Sequence, residues 1–287
     1  MRDVIIIGKG PAGISAAIYL KRANLDVLVI GKGMGSLEKA EKIENYYGFP
    51  EPVSGIELLN RGITQAEKLG IQILSDEVVG IKQEENFIVQ TTNSEFEARV
   101  VLLATGMTRS GLKVKGFDSL NGKGISFCAV CDGFFYRDKP LAVIGNGDYA
   151  ASEIADLQHF TQNIKLFTNG LDTTTNKLAP EQLIVSDKIL EIKGQDRVET
   201  IVTDKGEYLV DGIFVALGTA SATDFAKSLG ALTEGTNLIV NENFMTTING
   251  IFAAGDCIGG FWQVSKAVSD GANASKHIIS YLKASPL

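Results

Sequence analysis

The chain has 287 residues, 45% of them hydrophobic and 21% charged, with 31 Gly and 6 Pro. That composition suits a soluble globular protein of one to two domains. A net charge of -7 argues against nucleic acid as the main partner, and no apolar run approaches the roughly 18 residues that a membrane span needs. Three cysteines leave one over from any pair, which argues against a secreted disulfide scaffold. The sequence opens directly on an apolar strand with no signal-type stretch, so the reducing cytoplasm is the expected compartment.

In chain order, residues 4–7 form a buried-strand pattern, 13–22 a helix and 27–30 a second strand. This is a βαβ unit with a glycine loop, Gly8-Lys9-Gly10-Pro11-Ala12-Gly13, at its first turn. Short strands follow at 71–74, 77–82, 87–91 and 96–104, ending in Ala104-Thr105-Gly106. A second βαβ unit begins at 141–144, with its own loop Gly145-Asn146-Gly147-Asp148-Tyr149-Ala150, a helix over 149–160 and a strand at 164–167. Strands are again expected at 183–193, 197–203 and 207–210, before an apolar stretch that ends in Gly218-Thr219. The same order twice over is an internal duplication of architecture. The chain closes with Ala253-Ala254-Gly255-Asp256 and a helix over 264–283. The expected fold class is α/β, with two Rossmann-like (three-layer ββα) domains. Residues 1–110 and 219–287 would form one, discontinuous domain, and 111–218 the other.

Between the two glycine loops stands Cys128-Ala129-Val130-Cys131-Asp132. Two cysteines separated by two residues can close a small ring and so alternate between disulfide and dithiol with little backbone movement. Asp132 beside them can move protons. The alternatives are a structural zinc half-site and an inert pair. Zinc needs about four ligands, and the remaining soft candidates, Cys257, His159 and His277, have no ligand spacing; no metal is expected. In the first loop, glycines let backbone N–H groups approach a pyrophosphate at a helix N-terminus. No acidic residue ends the second strand, where Gly31-Lys32 stands instead. Gly255-Asp256 places a carboxylate at a strand's carboxyl end, suited to hydroxyls of a flavin side chain; a plain turn aspartate is the alternative.

Asn24-Leu25, Glu44-Asn45, Ala104-Thr105-Gly106, Cys128 to Cys131 with Asp132-Gly133-Phe134-Phe135, the loop Gly145 to Ala150, and Ala253 to Asp256 stand together in one order. Over its whole length the chain resembles the low-molecular-weight thioredoxin reductases. The resemblance implies a homodimer with thioredoxin as client, 1–110 and 219–287 being the FAD-binding domain and 111–218 a pyridine-nucleotide-type domain that carries the cysteine pair. Cys131 would lie nearer the flavin, Cys128 would exchange with the client disulfide, and Asp132 would be the acid/base. FAD contacts would come from Gly8, Gly10, Pro11, Ala12, Gly13, Asn45, Ala104, Thr105, Gly106, Gly255, Asp256 and Gln263.

The chain departs from that pattern in the second nucleotide loop. NADPH-using members carry arginines after the next strand, where they would pair with a 2′-phosphate. Here 164–167 runs into Thr168-Asn169-Gly170-Leu171-Asp172-Thr173-Thr174-Thr175, with no Arg and no acidic residue at the strand end. Asp148 and the bulky Tyr149 stand at the mouth of the helix, and the segment after Gly170 is too short for the expected helix. The loop then reads as a relic that only packs helix on strand. Trp262-Gln263 replaces the usual Arg-Gln, so a ring of Phe261 or Trp262 could cover the isoalloxazine; an ordinary packing role is the alternative. If NADPH is excluded, this chain resembles the compact ferredoxin-dependent flavin thioredoxin reductases, a subgroup that lacks nicotinamide binding. Ferredoxin is therefore the expected donor, and the basic stretch from Arg109 to Lys139 its candidate docking surface. The alternatives are an NAD(P)H-dependent reductase with an unusual second site, and a flavin redox sensor without turnover.

Overall fold

A computed structural model describes residues 1–106, 112–127, 129–217, 222–235 and 237–284, without the side chains of Lys39, Val130 and Cys131. The elements run β1 (Arg2–Ile7), α1 (Pro11–Arg22), β2 (Val27–Ile30), α2 (Gly55–Lys68), β3 (Gln72–Leu74), β4 (Val78–Gln83), β5 (Phe87–Thr91) and β6 (Glu95–Leu103). Then come α3 (Phe117–Leu120), β7 (Ile125–Ser126), α4 (Ala129–Asp132), β8 (Leu141–Ile144), α5 (Asp148–Leu157), β9 (Ile164–Phe167) and β10 (Leu183–Val185). They are followed by β11 (Ile189–Lys193), β12 (Thr200–Thr203), β13 (Glu207–Leu209), β14 (Gly212–Val215), α6 (Ala222–Ser228), β15 (Thr233–Glu234), β16 (Asn237–Leu238), β17 (Ile251–Ala253) and α7 (Val264–Ala284). The chain divides into two compact units, Met1–Thr108 with Ser221–Leu287, and Arg109–Ala220. Among the described residues no helix is long and apolar enough to cross a membrane.

The first unit is built on a seven-stranded sheet in the order β3-β2-β1-β6-β5-β4, with β17 also paired to β6. β1 lies parallel between β2 and β6, setting Ile7 beside Ile30 and Leu103. Val4 to Ile7 and Val27 to Ile30 are all buried, which is why these strands read as unbroken apolar runs rather than alternating ones. The nine-residue β6 serves three neighbours: its first half pairs antiparallel with β5, its second half parallel with β1 and β17. α1 and α7 pack together, Leu20 and Ile278 joining Ile6, Val29, Leu102 and Phe252 in one core. Gly271 of α7 allows the approach: a Cβ there would lie 2.1 Å from the carbonyl oxygen of Ala12.

The second unit repeats the plan with a parallel sheet in the order β10-β9-β8-β14-β7 and a separate antiparallel sheet β11-β12-β13. The strand expected over 183–193 is two strands, broken at Asp187. Its carboxylate accepts from Tyr208 Oη at 2.8 Å and Thr203 Oγ1 at 3.2 Å. The Tyr208 hydroxyl, ahead of Lys205 and Thr203, holds this carboxyl below its ordinary range. Asp76 marks the matching corner in the first unit, taking hydrogen bonds from Thr92 and Asn93. The helix expected over 149–160 ends at Leu157, and no helix lies between β9 and β10.

Gly271→Ala should lower unfolding stability by about 1–3 kcal/mol, because the methyl has only a fixed carbonyl to displace. Gly62→Ala in α2, whose Cβ would meet Ile14 Cγ2 at an ordinary 3.5 Å, should instead be neutral or gain up to about 1 kcal/mol. Urea unfolding of the two variants side by side checks both.

Candidate functional site

In the first unit the parallel strands β1, β6 and β17 deliver three loops to one edge of the sheet, at their carboxyl ends. The first holds Gly8, Gly10, Pro11, Ala12 and Gly13. Gly8 has φ 113° and a Cβ there would sit 2.2 Å from Ala104 O. A Cβ on Gly13 would sit 1.9 Å from Gly8 O, so α1 can start only where glycine stands. Gly10 faces open space, with nothing within 4 Å of its Cβ position. Pro11 opens the helix, and its first turn carries no acidic residue, leaving the positive end of α1 available to an anion.

The second loop is Ala104-Thr105-Gly106. Ala104 is buried, Thr105 Oγ1 accepts from the Ala222 N–H at 2.9 Å, and Gly106 has φ 76°. The third is Gly255-Asp256. Gly255 has φ 85°, and a Cβ there would press on Ala12 Cβ at 2.9 Å. One oxygen of Asp256, Oδ1, is buried without a hydrogen-bond partner. Burial is the main reason its carboxyl is raised above the ordinary range; Lys266 opposes that shift and Asp270 adds to it. A buried, unsatisfied acceptor beside an open helix N-terminus is what a polyhydroxylated, phosphate-bearing ligand would complete. Asn45 and Gln263 also meet here, Asn45 Nδ2 donating to Gln263 Oε1 at 2.9 Å.

Two residues of this unit escaped the sequence reading. Lys266 Nζ donates to the carbonyl oxygens of Gly255, at 2.8 Å, and Gly259, and pairs with Asp270 Oδ2 at 2.7 Å. It pins the turn that carries Asp256. Its partners are mostly main-chain carbonyls, which leave no trace in a sequence. Glu77 brings to Lys32 the carboxylate that the end of β2 lacks, at 2.6 Å. Cys257 is buried, and burial pushes its thiol up to about 12, the direction that disfavours a thiolate. Phe261 and Trp262, beside Gln263, are exposed. A concavity of about 1400 Å³ between α1 and α2 takes in Pro11 but none of the other candidate cofactor residues.

In the second unit Cys128 lies outside the described residues, as does the side chain of Cys131. The backbone of Cys131 belongs to the one-turn helix α4. Asp132, at its end, accepts from Ser126 Oγ at 2.7 Å. Its charge also helps raise the Tyr136 phenol, after burial as the larger cause. Phe134 and Phe135 follow directly and are 63% and 67% exposed. Among the described residues no group of three or more His, Cys, Asp or Glu could hold a metal ion.

The second glycine loop is covered by its own chain. Asn146 O accepts from Thr174 N at 2.8 Å and from Thr174 Oγ1 at 3.2 Å. Asn146 Nδ2 donates to Asp172 O at 2.9 Å, and Thr175 Oγ1 donates to Asp148 Oδ1. β9 leaves the sheet through a left-handed Asn169-Gly170 turn, Asn169 Oδ1 accepting from Ile189 N at 2.8 Å. Gly145 is dictated by packing, since a Cβ would fall 2.3 Å from Ala216 O. Tyr149 stands in the first turn of α5, as its position suggested, but its ring does not face the loop. It is 3% exposed and its hydroxyl reaches inward to Phe127 O at 3.3 Å.

Residues 2–271 match the pyridine nucleotide-disulphide oxidoreductase family. The thioredoxin reductase of Aquifex aeolicus is 34% identical over 293 residues, covering 96% of this chain and 90% of the relative. That of Bacillus subtilis is 32% identical, covering 98% and 95%. The crystal structure of the atypical thioredoxin reductase TRi from Desulfovibrio vulgaris Hildenborough superimposes with TM-score 0.92 at 35% identity, covering 99% of each chain. A ferredoxin-flavin thioredoxin reductase from Clostridium acetobutylicum does so with TM-score 0.75 at 32% identity, again covering 99% of each. This chain therefore belongs to the pyridine nucleotide-disulphide oxidoreductases, among their FAD-dependent thioredoxin reductases.

Proposed function

We propose that this reductase takes electrons from reduced ferredoxin rather than from NADPH or NADH, and passes them through FAD and the Cys128/Cys131 pair to thioredoxin. The carrying observation is the covered second glycine loop. Thr174 and Asp172 are hydrogen-bonded to Asn146, the residue whose neighbouring N–H groups a pyrophosphate would approach. Asp148 adds a carboxylate at the start of α5, where it repels an anion. No arginine follows β9 to meet a 2′-phosphate. The ferredoxin-flavin enzyme of Clostridium acetobutylicum is a full-length structural relative.

In this reading residues 1–110 and 219–287 hold FAD, and 111–218 carry the dithiol. Gly8, Gly10, Pro11, Ala12 and Gly13 receive the pyrophosphate. Asp256 accepts from sugar hydroxyls; Ala104, Thr105, Gly106, Gly255, Asn45 and Gln263 complete the walls. When bound, FAD supplies the means to accept electrons singly and deliver them in pairs. Two electrons and two protons open the Cys128–Cys131 disulfide. The Cys128 thiolate then attacks the client disulfide and forms a mixed disulfide. Cys131 attacks the Cys128 sulfur, releases the client as a dithiol and restores the internal bridge. Asp132, held by Ser126, moves the protons. The exposed rings of Phe134 and Phe135 give the client an aromatic platform beside the pair. Lys113, Lys115, Lys123 and Arg137 are exposed and suit an acidic donor; Arg109, part of the same stretch, lies outside the described residues. The resemblance also carries a homodimer and a cytoplasmic setting into this reading.

Anaerobic mixing with NADPH or NADH should leave the flavin's visible band unchanged, while reduced ferredoxin should bleach it. Rapid bleaching by NADPH sinks the donor assignment. Cys131→Ser should accumulate a covalent complex with thioredoxin on non-reducing gels and Cys128→Ser should not; the opposite result exchanges the two roles. Asp256→Asn removes a charge that burial disfavours, but it also replaces the carboxylate that accepts from FAD with a weaker amide acceptor. It should raise the apoprotein's melting midpoint by a few degrees while weakening FAD binding at least about tenfold. Calorimetry of the apoprotein and a flavin titration check the two halves.

A further inference from the structure

Helix α5 turns two side chains toward the redox segment. Tyr149 and Glu153 are one turn apart and share a face of the helix. Tyr149 donates to Phe127 O at 3.3 Å, and a carboxyl oxygen of Glu153, a residue only 8% exposed, accepts the Ala129 N–H at 2.8 Å. Phe127 and Ala129 are the chain neighbours of Cys128.

A helix of four residues such as α4 cannot order itself; nucleating one turn costs more than it returns. Its order must come from outside. The Ser126–Asp132 hydrogen bond closes one side, and Gly133 backs onto Phe160, where a Cβ would lie 2.7 Å from the ring. A further anchor among the described residues is Glu153, which accepts the buried Ala129 N–H at 2.8 Å. At 3.3 Å the Tyr149 bond is long for a hydroxyl donor, so it plays the lesser part.

We propose that Glu153 is a positioning residue for the dithiol: by accepting the Ala129 N–H it fixes the main chain next to Cys128 and so favours closure of the bridge with Cys131. This rests on the reading of that pair as redox-active. Closure can be written against glutathione: the dithiol and one oxidised glutathione give the internal disulfide and two reduced glutathiones. Its equilibrium constant measures how well the two sulfurs are held together.

The test uses the FAD-loaded full-length protein, equilibrated anaerobically in glutathione buffers and read by thiol alkylation and mass. Glu153→Ala should lower the closure constant about tenfold, which is about 30 mV for a two-electron couple. Glu153→Gln keeps an oxygen that can accept from Ala129 and should stay within about threefold of the parent. A merely structural role would lower the melting point of Glu153→Ala without moving this constant. An unchanged constant in Glu153→Ala, or a fall in Glu153→Gln as large as in Glu153→Ala, overturns the proposal. If Glu153→Ala does not fold, Tyr149→Phe decides: a fall of about two- to threefold supports the clamp, and the parent value overturns it. A parent protein whose pair never exchanges with glutathione would instead sink the redox assignment on which the clamp depends.

Discussion

The site in the first unit depends on main chain touching main chain without side chains between. Gly8 lies against Ala104, Gly13 against Gly8, and Gly271 against Ala12, each at a distance that no Cβ could share. These contacts seat α1 on the end of β1 and α7 on α1. Only then do the ends of β1, β6 and β17 converge, with the start of α1 and Asp256 on the same edge. Dispersion and burial hold the core, where Phe252, Leu102 and Ile6 are fully packed. The glycines decide where the loops can go.

The second unit uses the same plan to a different end. Gly10 is open to its surroundings, whereas Asn146 and Asp148 are engaged by residues 172–175 of the same chain. The helix after each loop differs in the same sense. α1 leaves its first turn free of acidic groups. α5 begins with Asp148 and spends Tyr149 and Glu153 on the backbone around Cys128. One copy of the duplicated unit thus leaves its helix end clear of acidic groups, and the other turns its helix toward the chain neighbours of Cys128.

The sequence made visible what repeats or punctuates. Both βαβ starts, both glycine loops and the strand ends at Ala104 and Asp256 follow from apolar runs ending in glycine. Strand edges were less legible: the corner at Asp187 breaks an apolar run because its carboxylate binds Thr203 and Tyr208, residues that only the fold brings near. Side-chain direction was not legible at all. Tyr149 looked like an obstruction in a loop, yet burial draws the ring inward. Lys266, Glu77, Ser126 and Glu153 were missed because each acts on a main-chain group or on a partner from another element, and no local spacing records that.

Gly145 carries a wider consequence. Its lack of a side chain is required by Ala216 O and Ala150 Cβ, at 2.3 and 2.8 Å from where a Cβ would sit. Replacing it would cost folding whether or not a nucleotide ever entered the loop. A glycine fingerprint can thus outlive its ligand. Within such duplicated architectures, a motif scan counts the places where helix and strand touch; counting coenzymes requires asking what lies across the loop.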